Sequence, residues 1–211
     1  MIKITKKKHL EMNLQSIPPH PNPKVGLEQY TTPSVIASDL IWNAYSLGDI
    51  QNKNILDLGC GTGIFTIASA LMGANSAWGV DVDEDSIQLA RQVSNNLELD
   101  NVNYILSDVC DFDNCFDADT IIQNPPFGSQ KRAKGGEDLN FVKKACILKP
   151  SVLYSFHMAS TEEFLISFYQ KNGLDITHIF RYDFPIPKIY EFHKKEKQNV
   201  NVIVIRAFLD F

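Results

Sequence analysis

The sequence predicts an α/β fold in which a seven-stranded, mostly parallel sheet carries helices on both faces. Three observations lead there. Short apolar runs alternate with helical patterns from residue 54 onward, several of those runs lead into acids, and the last two extended segments have no helix between them. Alternation of strand and helix gives parallel strands joined by crossovers. A final connection without a helix gives an antiparallel C-terminal hairpin at one edge.

Residues 1–30 are basic and then proline-rich (Pro18, Pro19, Pro21, Pro23), which predicts a short helix followed by an extended arm; the domain proper is expected over 31–211. From Thr32 the apolar residues Val35, Ile36, Leu40, Ile41 and Tyr45 recur at helical spacing, with Gly48 near the end. Strands are expected at 54–58, 76–80, 102–106, 120–123, 151–156, 175–182 and 200–208. Helices are expected at 63–72, 85–97, 139–148 and 161–171, several stopped by glycine or proline, as at Gly73, Pro150 and Gly173. The final strands would be joined by a long basic loop holding Pro185 and Pro187.

With 44% hydrophobic residues the 211-residue chain can bury a full core, and a net charge of −5 argues against wholesale coating of nucleic acid. Basic residues are nonetheless grouped: Lys3 with Lys6 to Lys8, then Lys131, Arg132 and Lys134, then Lys188 with Lys194, Lys195 and Lys197. No apolar run reaches membrane-spanning length, and the N-terminus lacks a signal peptide's apolar core, so a cytoplasmic protein is expected. Cys60, Cys110, Cys115 and Cys146 form no CxxC pair and no metal-ligand spacing, which predicts reduced thiols and no metal site.

Two motifs carry chemistry. Asp57-Leu58-Gly59-Cys60-Gly61-Thr62-Gly63 joins a strand to a helix, and its alternate glycines permit a tight turn and close approach to a ligand. The spacing is G-x-G-x-G, a poor match to a pyrophosphate cradle. Asn124-Pro125-Pro126-Phe127 follows another strand; its prolines cannot donate backbone hydrogen bonds, and Pro125 keeps Asn124 extended. That stiff peptide offers an amide, a carbonyl and an aromatic face to a planar amine such as a nucleobase. It could equally be a proline-terminated strand with a core phenylalanine.

The acidic glycine loop resembles the first motif of S-adenosylmethionine-dependent methyltransferases, and seven strands ending in a hairpin suit their Rossmann-like class I sheet. The resemblance implies S-adenosyl-L-methionine as cofactor. It places Asp81 on the ribose hydroxyls, and Asp108 with the Val109 amide on adenine; Asp83, Glu84 and Asp85 read as caps of the next helix. It makes Asn124, Pro125, Pro126 and Phe127 the catalytic motif of amino-methyltransferases. There the Asn124 oxygen and Pro125 carbonyl accept the two amine hydrogens and Phe127 stacks on the base.

Further blocks are similar to the methyltransferase-like protein 5 family: Leu27 to Tyr30, Thr32-Pro33, Asp81 to Asp85, Asp108 to Cys110, Asn124 to Gly128, Tyr154 to His157, Arg181 to Pro185 and Phe192 to Lys195. That similarity implies an adenine-N6 methyltransferase acting on small-subunit ribosomal RNA. It adds Gln29 and Thr32 over the cofactor and Asp57, Gly59, Thr62 and Ile64 along it. The loop carrying Lys131, Arg132 and Lys134 would bind RNA, and a small zinc-ribbon activator subunit would pair with an exposed edge at 102–106. Protein-glutamine methylation, DNA-adenine methylation and a catalytically idle RNA-binding scaffold are the alternatives.

Overall fold

The computed structural model describes residues 4–20, 22–24, 29–113, 117–127, 136–187 and 197–209. Helices α1 (Lys7–Leu14) and α2 (Ser34–Ser46) precede the alternating part of the chain. There follow β1 (Asn54–Leu58), α3 (Ile64–Leu71), β2 (Ser76–Asp81), α4 (Glu84–Asn96), β3 (Val102–Leu106), β4 (Thr120–Gln123), α5 (Glu137–Leu148) and β5 (Val152–Met158). A 3-10 turn, α6 (Glu162–Lys171), β6 (Leu174–Pro187) and β7 (Lys197–Leu209) complete it.

The strands form one sheet in the order β3-β2-β1-β4-β5-β7-β6. The first five are mutually parallel, whereas β7 is antiparallel to both β5 and β6. This is the sheet the alternation predicts, with β3 at one border and the hairpin at the other. Because the order reverses between β1 and β4, the crossovers leave β1 in opposite directions and open a crevice at the carboxyl ends of the strands.

Neighbouring strand residues feed opposite cores, as the two-residue period requires. Ile55, Ile122, Tyr154 and Val204 join α1, α2 and α3 on one face. Leu56, Ile121, Leu153 and Ile205 join α5 and α6 on the other. The helix of the N-terminal arm is docked on this domain: Leu10 and Leu14 are closed off from solvent in the first core, each worth about 1.5–3 kcal/mol of burial.

One expectation is corrected here. Pro185 and Pro187 lie within β6, not in a loop; β6 is the edge strand, where a missing N–H costs no pairing. On the same strand Arg181 pairs with Glu162 at 2.6 and 2.7 Å. A buried network absent from the sequence reading also ties β7 to β6 and to the turn between α2 and β1. Arg206 donates to both Asp49 carboxylate oxygens at 2.8 and 3.0 Å and to Thr177 Oγ1 at 2.6 Å.

Candidate active site

A cavity of about 410 Å³ opens at the carboxyl ends of β1, β2 and β4. Its wall brings together Gln29, Thr32, Gly59, Thr62, Ile64, Asp81, Asp108, Val109, Asn124 and Pro126, residues spread over almost a hundred positions. Asp57, Pro125 and Phe127 stand outside that lining. Lys131, Arg132 and Lys134 lie outside the described residues, as do Tyr190, Phe192 and His193. The wall also includes His20, Tyr30 and Cys60, and Asn140 and Phe141 from the start of α5, none of which the sequence reading assigned a role in the site. His20 carries no local signal, since it sits in a proline-rich stretch without periodicity.

Glycine is required in the loop after β1. Gly61 has φ +53°, and a Cβ there would come within 3.1 Å of His20 Nε2. Gly63 has φ +84° at the start of α3, and its Cβ would lie 2.6 Å from Tyr104 Oη. Any side chain would therefore strain the turn and close the space beside it.

Three acids around this loop have distinct tasks. Asp57 is buried beneath it, where Oδ2 accepts from the Thr66 amide at 3.0 Å and its hydroxyl at 2.7 Å, pinning the first turn of α3. Burial pushes the Asp57 carboxyl up to about 7, although the Thr66 bonds pull the other way. Asp81 ends β2 at the cavity wall and accepts one backbone amide on each oxygen, from Gly61 at 2.8 Å and from Asp83 at 2.9 Å. Burial raises its pKa against those two bonds. Each oxygen keeps a lone pair for a further donor.

Asp83 precedes α4 but makes no side-chain cap to its backbone. It instead pairs with Lys24, accepts from Gln29 Nε2 at 2.9 Å and from Ser86 Oγ at 2.6 Å. Burial alone would raise its pKa; the Lys24, Ser86 and Gln29 bonds outweigh it and hold the carboxyl at about 2. Lys24 donates its backbone amide to Gln29 Oε1 at 2.7 Å, so the segment is tied to Asp83 and to itself. The cap expected at Asp83 is thus an anchor for Lys24 and for Gln29 of the cavity wall.

On the opposite wall, Asn124 leaves β4 and donates Nδ2 to Thr32 Oγ1 at 2.9 Å. Its Oδ1 is buried and has no hydrogen-bond partner among the described residues. An unpaired buried acceptor costs about 1–3 kcal/mol, so this atom marks a place where a donor belongs. Phe127 is half-buried and meets Phe184 edge-on, with ring centroids 6.3 Å apart and planes at 83°. Phe184 itself is closed off from solvent. His157, the last residue of the Tyr154 to His157 block, is a core residue bonded to Asp138 at 2.9 Å and to Tyr169 at 3.0 Å.

A family profile described as a methyltransferase domain matches residues 50–207. A zebrafish (Danio rerio) protein named rRNA N(6)-adenosine-methyltransferase METTL5 is 35% identical, covering 95% of this chain and 98% of its own length. The chain belongs to the METTL5 family. An uncharacterized protein of Methanocaldococcus jannaschii, MJ0284, is 40% identical over 95% of this chain and 93% of its own. The crystal structure of Pyrococcus horikoshii PH1948 superposes with a TM-score of 0.88 at 34% identity, covering 99% of this chain and all of that one.

The fold is therefore that of a class I methyltransferase, and its cofactor is S-adenosyl-L-methionine. The residues present fit that molecule. The cavity has the size of small-molecule sites, the glycine loop leaves no side chain in the way, and Asp81 retains acceptor capacity for two hydroxyls. Among the described residues no helix is long and apolar enough to cross a membrane, and no cluster of three or more His, Cys, Asp or Glu could hold a metal ion.

Proposed function

We propose that this chain methylates the exocyclic N6 amine of an adenosine in ribosomal RNA, of the small subunit as in the family reading of the sequence. The observation that carries the proposal is Asn124 Oδ1, a buried acceptor without a partner among the described residues, at the wall of the cavity. Thr32 occupies the amide nitrogen, so the oxygen is the atom presented to an incoming N–H.

In this reading Asn124 Oδ1 and the Pro125 carbonyl accept the two amine hydrogens. Those bonds draw the nitrogen lone pair out of conjugation and turn it toward the cofactor. When bound, S-adenosyl-L-methionine supplies a methyl group activated by its sulfonium. An adenine amine needs no strong base before attack, the surplus N6 proton being released to solvent after transfer, and positioning alone can contribute roughly 7–11 kcal/mol. Phe127 holds the plane of the base, and its edge-on contact with Phe184 limits how far the ring can swing. The base must leave any helical stack to reach the cavity, which favours a single-stranded or flipped-out adenosine.

Lys131, Arg132 and Lys134 follow this motif directly and are assigned to the RNA backbone. A small activator subunit is assigned to the β3 border, where Leu106 is 50% exposed and the outer backbone edge is not covered by another strand of the sheet. The test is transfer of labelled methyl to purified ribosomal RNA, comparing wild type with Asn124→Ala and mapping the product. Methyl on the N6 of one adenosine, lost in the variant, is the expected result; methyl on protein instead of RNA would overturn the reading.

A further inference from the structure

His20 is a cavity residue with a fixed tautomer. Its side chain is 7% exposed, and Nδ1 lies 2.8 Å from Ser86 Oγ. Ser86 spends its one hydroxyl proton on Asp83 Oδ2, at 2.6 Å. Asp83 is ionised, so it has no proton to return. The Ser86 oxygen must then accept, and His20 Nδ1 must carry the hydrogen. In the neutral ring this makes Nε2 the acceptor nitrogen, beside Gly61 and therefore beside Asp81, whose Oδ2 holds the Gly61 amide. Burial lowers the His20 pKa and keeps the ring neutral, against the pull of Asp81 and Asp83 and with help from Lys24.

We propose that His20 Nε2 is a second acceptor for the cofactor's ribose, taking one of the two hydroxyls that face Asp81. The two acceptors flank the same glycine from opposite parts of the chain: Asp81 at the end of β2, His20 on the segment that Asp83 anchors. The assignment depends on the cofactor and not on which RNA is methylated. It makes this segment a reader of the ribose, and it explains why Ser86, which lies outside the cavity lining, is built into the Asp83 cluster. His20 is a binding residue here and takes no part in methyl transfer.

The test is calorimetric binding of S-adenosylhomocysteine and of its 2′-deoxy and 3′-deoxy ribose analogues to the full chain. His20→Phe keeps an aromatic ring over Gly61 but removes the acceptor. It should weaken S-adenosylhomocysteine about tenfold, the size of one net hydrogen bond. That loss should vanish for whichever analogue lacks the hydroxyl in question. Ser86→Ala frees the ring to turn and should give a smaller loss with the same ligand dependence. Equal losses for all three ligands would mean that His20 only packs against the loop, and an unchanged affinity for the parent ligand would also overturn the proposal. The comparison among ligands is made within one variant, so a modest change in its stability cancels.

Discussion

The ends of β2 and β4 face the same cavity and are finished in opposite ways. At the end of β2 both Asp81 oxygens already hold backbone amides, and Asp83 is surrounded by Lys24, Gln29 and Ser86. At the end of β4, Asn124 has its amide nitrogen engaged, while its Oδ1 and Gln123 Oε1 beside it have no hydrogen-bond partner among the described residues. The end of β2 is thus already hydrogen-bonded on both Asp81 oxygens, while the end of β4 presents an acceptor with no donor among the described residues. A group that only binds benefits from being held in advance. A group that must act on one amine benefits from being satisfied only when that amine arrives.

The largest effect should follow from removing the incomplete side. Asn124→Ala is expected to lower kcat by about 10²–10³-fold, the range seen when a single transition-state contact is deleted. Cofactor affinity measured by calorimetry should change little, and a large loss there would erase the contrast between the two strand ends. Asp81→Ala should do the reverse. Losing charged hydrogen bonds to the ribose is expected to cost about 3 kcal/mol, roughly a hundredfold in cofactor Kd. At saturating cofactor kcat should stay near that of wild type.

Thr32→Val sharpens the comparison because it leaves every atom of Asn124 in place. Without the Thr32 oxygen the amide can flip and present its nitrogen to the substrate amine, so a fall of about tenfold in kcat is expected, one net hydrogen bond's worth. An unchanged kcat would mean that Asn124 is oriented by something else. The smallest effect concerns stability. The Asp83 carboxyl is held at about 2 in the folded chain against an ordinary 3.8. A depressed acid adds stability above its ordinary pKa and loses it as pH falls through the folded value. Melting temperature should therefore drop between pH 3.8 and about 2, and Asp83→Asn should flatten that part of the curve.

What could be read from the sequence follows from how far apart the interacting residues lie. The sheet, its hairpin and the β3 border were legible because strand and helix periods, glycine turns and paired prolines act over a few residues. Gly59 to Gly63, Asp81 and Asp108 were legible for the same reason, since each sits at a strand end. Asp83 was misread as a helix cap. An acid before a helix usually is one, whereas its true partners Lys24 and Gln29 lie 59 and 54 positions away. Gln29 and Thr32 were reached only through family resemblance, and His20 was not reached at all. The Arg206–Asp49 pair spans 157 positions, and no spacing rule extends that far.

The short stretch from Gln29 to Thr32 touches both strand ends, Gln29 through Asp83 and Thr32 through Asn124. The contacts on the two strand ends thus share one support. Under the proposed roles, displacing this stretch would withdraw Gln29 from Asp83 and the Thr32 hydroxyl from Asn124 together, so the ribose side and the amine side of the cavity would be loosened in a single movement.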